Sequence, residues 1–337
     1  MYVVESYPMA VFFCMVTMLC WGSWANAQKA VGGRWRFELF YWDYVLGVLL
    51  AALLFAFTFG STGASGRSFL ADLAQADPAN IGSALLGGAV FNAANILLVA
   101  AIALSGMAVA FPVGIGLALV LGVVVNYLGV AKPVGNPVVL FVGVAFVVAA
   151  ILLDALAYGR LPSEKNAGRG KGLALAVLCG ILMGCFYRFV TAAMPDAEHF
   201  AVMPAGKLSP YTAMVFFSLG VFLSNFVLNT AIMLRPFSGP PVPLSAYFQG
   251  TARDHLWGIV GGMIWAVGMT LSIVAAGQAS FAVSYGLGQG ATMVAAFWGV
   301  FIWREFRDAP PGTARLLALM FAGYIAGLAL IIISRVV

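Results

Sequence analysis

Charge is what this sequence has least of. Only 9% of its 337 residues are Asp, Glu, Lys or Arg, whereas 63% are hydrophobic, and the mean hydropathy is +1.00. A soluble domain cannot bury that much apolar surface in one core, so the composition indicates a membrane protein. The few charges lie mostly in short connections between apolar runs, which argues against a nucleic-acid partner.

Metal ligands and catalytic groups are also scarce. The two histidines, His199 and His255, are predicted to lie in loops without metal-ligand spacing. The four cysteines form two pairs with a spacing of six, which places the two sulfurs of each pair on different helix faces: Cys14, Cys20, Cys179 and Cys185. No phosphate-binding loop and no set of nucleophile, base and orienting group is recognisable. The sequence therefore predicts no metal, no cofactor and no enzyme activity.

Long apolar runs dominate what is present. A span needs about 20 mainly apolar residues to cross about 30 Å of hydrocarbon. Two charge-free runs, 78–131 and 256–303, are about twice as long as one crossing, so each is predicted to be a hairpin, with turns at Ser105-Gly106 and Gly277-Gln278. The sequence predicts an all-α membrane protein with ten spans: Pro8–Gln28, Tyr44–Gly60, Ile81–Leu104, Ala108–Leu128, Pro137–Ala157, Gly172–Ala193, Pro210–Leu234, Leu256–Ala276, Phe281–Trp303 and Ala314–Ser334.

Basic residues give the orientation. Four lie in the loops on one side: Arg67, Lys132, Lys207 and Arg335. Twelve lie in the loops on the other: Lys29, Arg34, Arg36, Arg160, Lys165, Arg169, Lys171, Arg235, Arg253, Arg304, Arg307 and Arg315. Because basic loops stay in the cytoplasm, we expect the second group inside and both termini outside the cytoplasm.

The two uncharged hairpins occupy the third and fourth spans of each half, which indicates an internal repeat. Five spans per half is an odd number, so the second repeat would be inverted in the membrane. The predicted units are 1–159, a cytoplasmic linker 160–171, and 172–337. A short echo, in which Phe, Val, Gly and Leu keep register between 111–117 and 281–287, supports the pairing.

Polar and aromatic side chains within spans form single stripes at helical spacing. They are costly against lipid, so we expect them to face a partner helix or a cavity. Amides and flat rings together suit a planar, polar, neutral solute, although joining of helices by Asn and packing by Trp stay open. The candidate binding residues in these stripes are Trp21, Trp24, Gln28, Asn92, Asn95, Asn225, Asn229, Tyr285 and Gln289.

Charged residues near or within spans give further candidates. Arg188, beside Tyr187 on the sixth span, is predicted either to bind a carbonyl or carboxylate of the solute or to extend toward the outer surface. Both residues join the candidate site. Glu5, Asp43 and Asp154 lie near span ends, where a solvated anchoring role is expected.

Short motifs over nearly the whole chain carry a family resemblance. They are Met1 to Ser6, Asp43-Tyr44, Ala51-Ala52, Phe55 to Gly60, Asn126-Tyr127, Gly277 to Ala279, Gln289, Phe297 to Val300, and Glu305 with Arg307. In these motifs the sequence resembles the ureide permeases. The resemblance implies the drug/metabolite transporter fold, ten helices in two inverted five-helix repeats, and import of allantoin, uracil and related heterocycles with protons.

The resemblance carries over to single residues but not to every one. It covers Asn95, Gly106, Gly122, Asn126, Gln278 and Gln289. Acidic residues that the plant members carry on the fourth and ninth spans are Phe111 and Gly286 here, and their long central loop is the short linker 160–171. The short linker points to a bacterial relative and hence to the bacterial inner membrane.

Two other transport functions stay open. Sugar porters for glucose, ribose or rhamnose in the same superfamily would use similar Asn, Gln and Trp residues, and an exporter of drugs or metabolites would share the fold. The expected partners are a small solute and membrane lipid, with the protein as a monomer or homodimer.

Overall fold

The computed structural model describes residues 1–32, 35–161, 169–196, 199–237 and 239–337. Within these ranges the chain is helical without a strand, and ten segments are long and apolar enough to cross a membrane, which confirms the predicted fold class and number of spans. The basic residues Arg34 and Lys165, and most of the predicted linker (162–168), lie outside the described residues.

Two of the ten spans are built from more than one helix. The first joins α1 (Tyr7–Ser23) to α2 (Ala25–Val31), and the ninth joins α11 (Phe281–Gly288) to α12 (Ala291–Phe297) and a π-helical turn (Trp298–Ile302). The other spans are α3 (Phe37–Phe57), α5 (Pro78–Ser105), α6 (Met107–Leu128), α7 (Pro137–Tyr158), α8 (Arg169–Ala193), α9 (Pro210–Leu234), α10 (Ala252–Ala279) and α13 (Thr313–Ile333). The connections contain α4 (Phe69–Gln75) and a 3₁₀ helix, Leu244–Gln249.

Several predicted boundaries are wrong, and for α3 the reason is that its charged residues are paired. Helix α3 begins at Phe37 and not at Tyr44: Glu38 forms a salt bridge with Arg36, and Asp43 is 1% exposed and bonded to His255. The solvated role expected for Asp43 is therefore wrong, and Asp154 is also buried. His255 lies in α10, not in a loop, because a capping box begins that helix at Ala252. Helix α8 begins at Arg169, inside the predicted linker.

The turns of the two hairpins have the same backbone conformation. Gly106 has φ 78° and ψ 163°, and Ser280 has φ 77° and ψ 158°. The second turn is therefore at Ser280, and the turn predicted at Gly277-Gln278 is wrong, since both residues lie in α10. The helices that follow begin at Met107 and Phe281, so the echo that pairs Phe111 with Phe281 is about one helical turn out of register.

Glycines let two pairs of helices meet backbone to backbone. A Cβ on Gly47 of α3 would lie 2.1 Å from the Ile259 carbonyl oxygen of α10, and one on Gly262 would lie 1.9 Å from the Tyr44 carbonyl oxygen. The same arrangement joins α5 to α9, where a Cβ on Gly88 would lie 2.0 Å from the Phe217 carbonyl oxygen and one on Gly220 would lie 2.1 Å from that of Leu85. Each pair joins one helix from either half of the chain.

Candidate solute-binding site

A cluster of aromatic rings occupies the middle of the helix bundle. Trp21 of α1 stacks on Trp265 of α10 at 5.7 Å, and its Nε1 donates to the Trp265 carbonyl oxygen at 3.2 Å. Phe91 of α5 lies 4.3 Å from the Trp265 ring, measured between centroids. The cluster extends through α8, α9 and α11 by ring contacts of Phe186, Phe217, Tyr187 and Tyr285. These rings fix the geometry of the central region.

The face of the first span that carries the predicted stripe changes its exposure along its length. One turn before the stripe this face is buried, and Thr17 donates to the Gly268 carbonyl oxygen of α10 at 2.9 Å. On the same face, Trp21, Trp24 and Gln28 are only partly buried. This face therefore packs against α10 at one end of the span and is partly exposed at the α2 end.

Aromatic and amide groups continue from this stripe onto α3 and α5. The Trp24 ring lies 4.8 Å from Tyr44, which stacks on Tyr41 at 5.2 Å, and Asn95 Nδ2 donates to the Tyr41 hydroxyl at 3.0 Å. The Tyr44 hydroxyl is buried without a hydrogen-bond partner among the described residues. The structure thus brings Trp24 and Asn95 together through two tyrosines that the sequence reasoning missed. The i, i+3 spacing of Tyr41 and Tyr44 is the signal that could have found them.

Two of the other candidate asparagines join helices. Asn92 Nδ2 donates to Ser224 Oγ at 2.9 Å, which connects α5 to α9, and Asn229 Nδ2 donates to the Glu38 carbonyl oxygen at 2.8 Å, which connects α9 to α3. These bonds support the alternative that such amides join helices. Asn225 is fully buried, and neither of its amide atoms has a partner among the described residues.

The candidates on α8 and in the ninth span lie elsewhere. The Tyr187 hydroxyl is 3.0 Å from Ser284 Oγ, and the Tyr285 hydroxyl donates to the Met183 carbonyl oxygen at 3.0 Å, so both phenols join α8 to α11. Arg188 Nη1 donates to Thr191 Oγ1 at 3.4 Å. Gln289 follows the end of α11, where the ninth span is interrupted.

A cavity of about 290 Å³ lies where α6 and α10 end, away from these candidates. Asn126 of α6, Phe281 of α11, Asp196 and Arg335 are part of its lining, and none of the eleven predicted binding residues is. Asn126 Oδ1 also accepts a hydrogen bond from Thr191, the partner of Arg188, at 3.3 Å. The volume is close to the lower end of the range for small-molecule sites, so it could hold a small solute.

The comparisons with known proteins agree with this architecture. Ureide permease 2 and ureide permease 1 of Arabidopsis thaliana are each 24% identical to the chain, over 395 and 392 residues, covering 99% of both sequences in each comparison. Probable ureide permease A3 of Vigna unguiculata is 23% identical over 373 residues, covering 91% of the chain and 98% of that protein. A crystal structure with 18% identity and a TM-score of 0.57 covers 98% of the chain and 100% of its own, and it supports the fold alone.

The family model described as ureide permease matches residues 40–167 and 163–334, which together cover most of the chain. Permeases are transporters and not enzymes. Family membership and ten apolar spans together identify an integral membrane transporter. The chain belongs to the ureide permease family.

Proposed function

We propose that the protein imports small neutral heterocyclic solutes, ureides such as allantoin or nucleobases such as uracil, in symport with protons. The observation that carries this proposal is the row of Trp24, Tyr44, Tyr41 and Asn95 beside the partly exposed stripe of the first span. Flat rings pack against the faces of a planar solute, and amide and phenol groups pair with its carbonyl and N–H edges. The relatives are named as ureide permeases, which supports ureides as the substrate class.

The proposed mechanism is alternating access between two inverted five-helix repeats, 1–159 and 172–337. One constant sequence interval, which separates Gly88 from Gly262, Gly106 from Ser280 and Met107 from Phe281, supports the repeat. Helices α1 and α8 correspond by a second constant interval, which separates Cys14 from Cys179 and Cys20 from Cys185. This second interval also separates Trp21 from Phe186.

The protein is proposed to lie in a bacterial inner membrane with both termini outside the cytoplasm. The distribution of basic residues supports this orientation, in which the partly exposed end of the first-span stripe faces the cytoplasm. Solute binding stays a proposal for all eleven candidate residues. Trp24 and Asn95, which lie in the row, have the most support, whereas the bonds of Asn92, Asn229, Tyr187 and Tyr285 join helices.

Competition in proteoliposomes tests the substrate class. Labelled uracil or allantoin is taken up in the presence of excess unlabelled uracil, allantoin, glucose or ribose. A hexose would leave the amides and phenols less completely paired, and an unsatisfied buried polar group costs about 1–3 kcal/mol, so we expect the sugars to compete at least about tenfold more weakly. Displacement by glucose or ribose at equal or lower concentration would favour the sugar porter. Outward movement of solute against its gradient would favour the exporter.

A further inference from the structure

One buried carboxylate at the loop end of α3 has both oxygens bonded to side chains from elsewhere in the chain. The Tyr247 hydroxyl donates to Asp43 Oδ1 at 2.5 Å, and His255 Nδ1 lies 2.9 Å from Asp43 Oδ2. Asp43 is 1% exposed, whereas 26% of the His255 side chain is exposed. The carboxylate is therefore enclosed, and the imidazole is the part of the pair that bulk water can reach.

The surroundings hold the pair in a single arrangement. The Trp35 ring lies 5.2 Å from His255 and 6.3 Å from Tyr247, and a Cβ on Gly258 would lie 2.4 Å from Asp43 Cβ. Two other acidic side chains near the pair have partners of their own. Glu38 forms a salt bridge with Arg36, and Asp254 accepts a hydrogen bond from Thr251, the N-cap of α10. Burial and the adjacent carboxylate raise the pKa of Tyr247, so its hydroxyl stays protonated as a donor.

The charge of the pair depends on one proton. With a neutral imidazole, Asp43 and His255 carry one negative charge, and with the imidazole protonated at both ring nitrogens they carry none. A buried carboxylate without a counter-charge is costly, whereas a hydrogen-bonded ion pair is tolerated. Of the two groups, only the imidazole reaches bulk water, so a proton would enter and leave the pair there. His255 is the only basic side chain bonded to Asp43 within the described residues.

We propose that Asp43 and His255 form the site that carries the coupling proton during solute uptake. This inference rests on the proposed transport function. Asp43 precedes Tyr44, whose ring contacts Trp24 of the solute row, so the proton and the solute bind to adjoining positions of α3. Two ligands that favour the same arrangement of one helix strengthen each other's binding by the same factor.

The experiment separates coupling from transport in proteoliposomes that contain the full chain. Counterflow, in which labelled uracil or allantoin enters in exchange for unlabelled solute inside, needs no proton gradient. Accumulation of solute under an inward proton gradient, in contrast, needs coupling. With a gradient of about one pH unit and one proton per solute, the unchanged protein should accumulate solute about tenfold. We expect Asp43→Asn and His255→Gln to keep counterflow but only to equilibrate the solute. Asp154→Asn is the matched control, since Asp154 is also buried within a span, and it should still accumulate solute.

Each other outcome has a definite meaning. Accumulation by Asp43→Asn and His255→Gln at the level of the unchanged protein overturns the inference, as does loss of accumulation in Asp154→Asn alone. Equal loss of counterflow and accumulation in both variants, with the normal elution volume in size-exclusion chromatography, means a purely structural pair and also overturns it. If one variant fails to fold, the other decides. Absence of counterflow in the unchanged protein rejects the proposed transport function itself, whereas counterflow without any gradient-driven accumulation rejects only the inference.

Discussion

The contact between α3 and α10 gives the sharpest prediction about stability. In Gly262→Ala the new Cβ would lie 1.9 Å from the Tyr44 carbonyl oxygen and 2.9 Å from the Val48 nitrogen. Both are backbone atoms, so no side chain can rotate away and the helices must separate by about 1 Å. Overpacking of this kind costs about 3 kcal/mol, and about 1 kcal/mol returns from the better helix propensity of Ala. At roughly 2 °C per kcal/mol, the net loss lowers the Tm by about 4 °C.

The assay is thermal unfolding of the purified protein in detergent, followed by the loss of the monodisperse peak after heating. Gly82→Ala is the matched control, because Gly82 lies in α5 and a Cβ there would meet no atom within 4 Å. Gly82→Ala should leave the Tm unchanged or raise it slightly. An equal Tm for both variants would refute the backbone contact between α3 and α10. A lower Tm for Gly82→Ala alone would refute the premise that the space around the new Cβ decides stability.

Three other predictions concern the site and the topology. Asn95→Ala and Gln289→Ala should each weaken solute binding by about 1–3 kcal/mol with the fold intact, and normal binding in both variants, measured by ligand-induced thermal shift, would move the site elsewhere. Asn225→Leu should raise the free energy of unfolding by about 1 kcal/mol, and with it the Tm, since it removes two buried amide atoms without partners among the described residues. A fall in Tm would reveal a partner. A reporter that works only in the cytoplasm, fused after Val337, should be inactive, and activity would overturn the orientation.

The number of spans could be predicted because hydropathy and length alone determine it. The start of α3 could not, since the cost of Glu38 and Asp43 depends on partners at Arg36, Tyr247 and His255, two of which lie more than 200 positions away. The second hairpin turn was predicted at Gly277-Gln278 because glycine is the residue most typical of a turn. The turn lies at Ser280 instead, which adopts a φ of 77° that favours glycine.

The candidate site was predicted in part. Helical spacing identified stripes that contain Trp24 and Asn95, which the structure connects through Tyr41 and Tyr44. Spacing could not distinguish these from Asn92 and Asn229, whose bonds join helices, because both kinds of residue turn inward for the same reason. The distinction depends on the neighbouring helix, which the pattern of a single span does not specify.

The four glycine contacts also limit how the protein can move. Helices whose backbones touch cannot slide past one another by the width of a side chain, so α3 with α10 and α5 with α9 form two rigid crossings. Both crossings connect the first half of the chain to the second, so the halves cannot separate there. In the proposed alternating-access mechanism, access to the solute site then changes through the interrupted first and ninth spans together with α6 and α8, and the two crossings act as the fixed pivots.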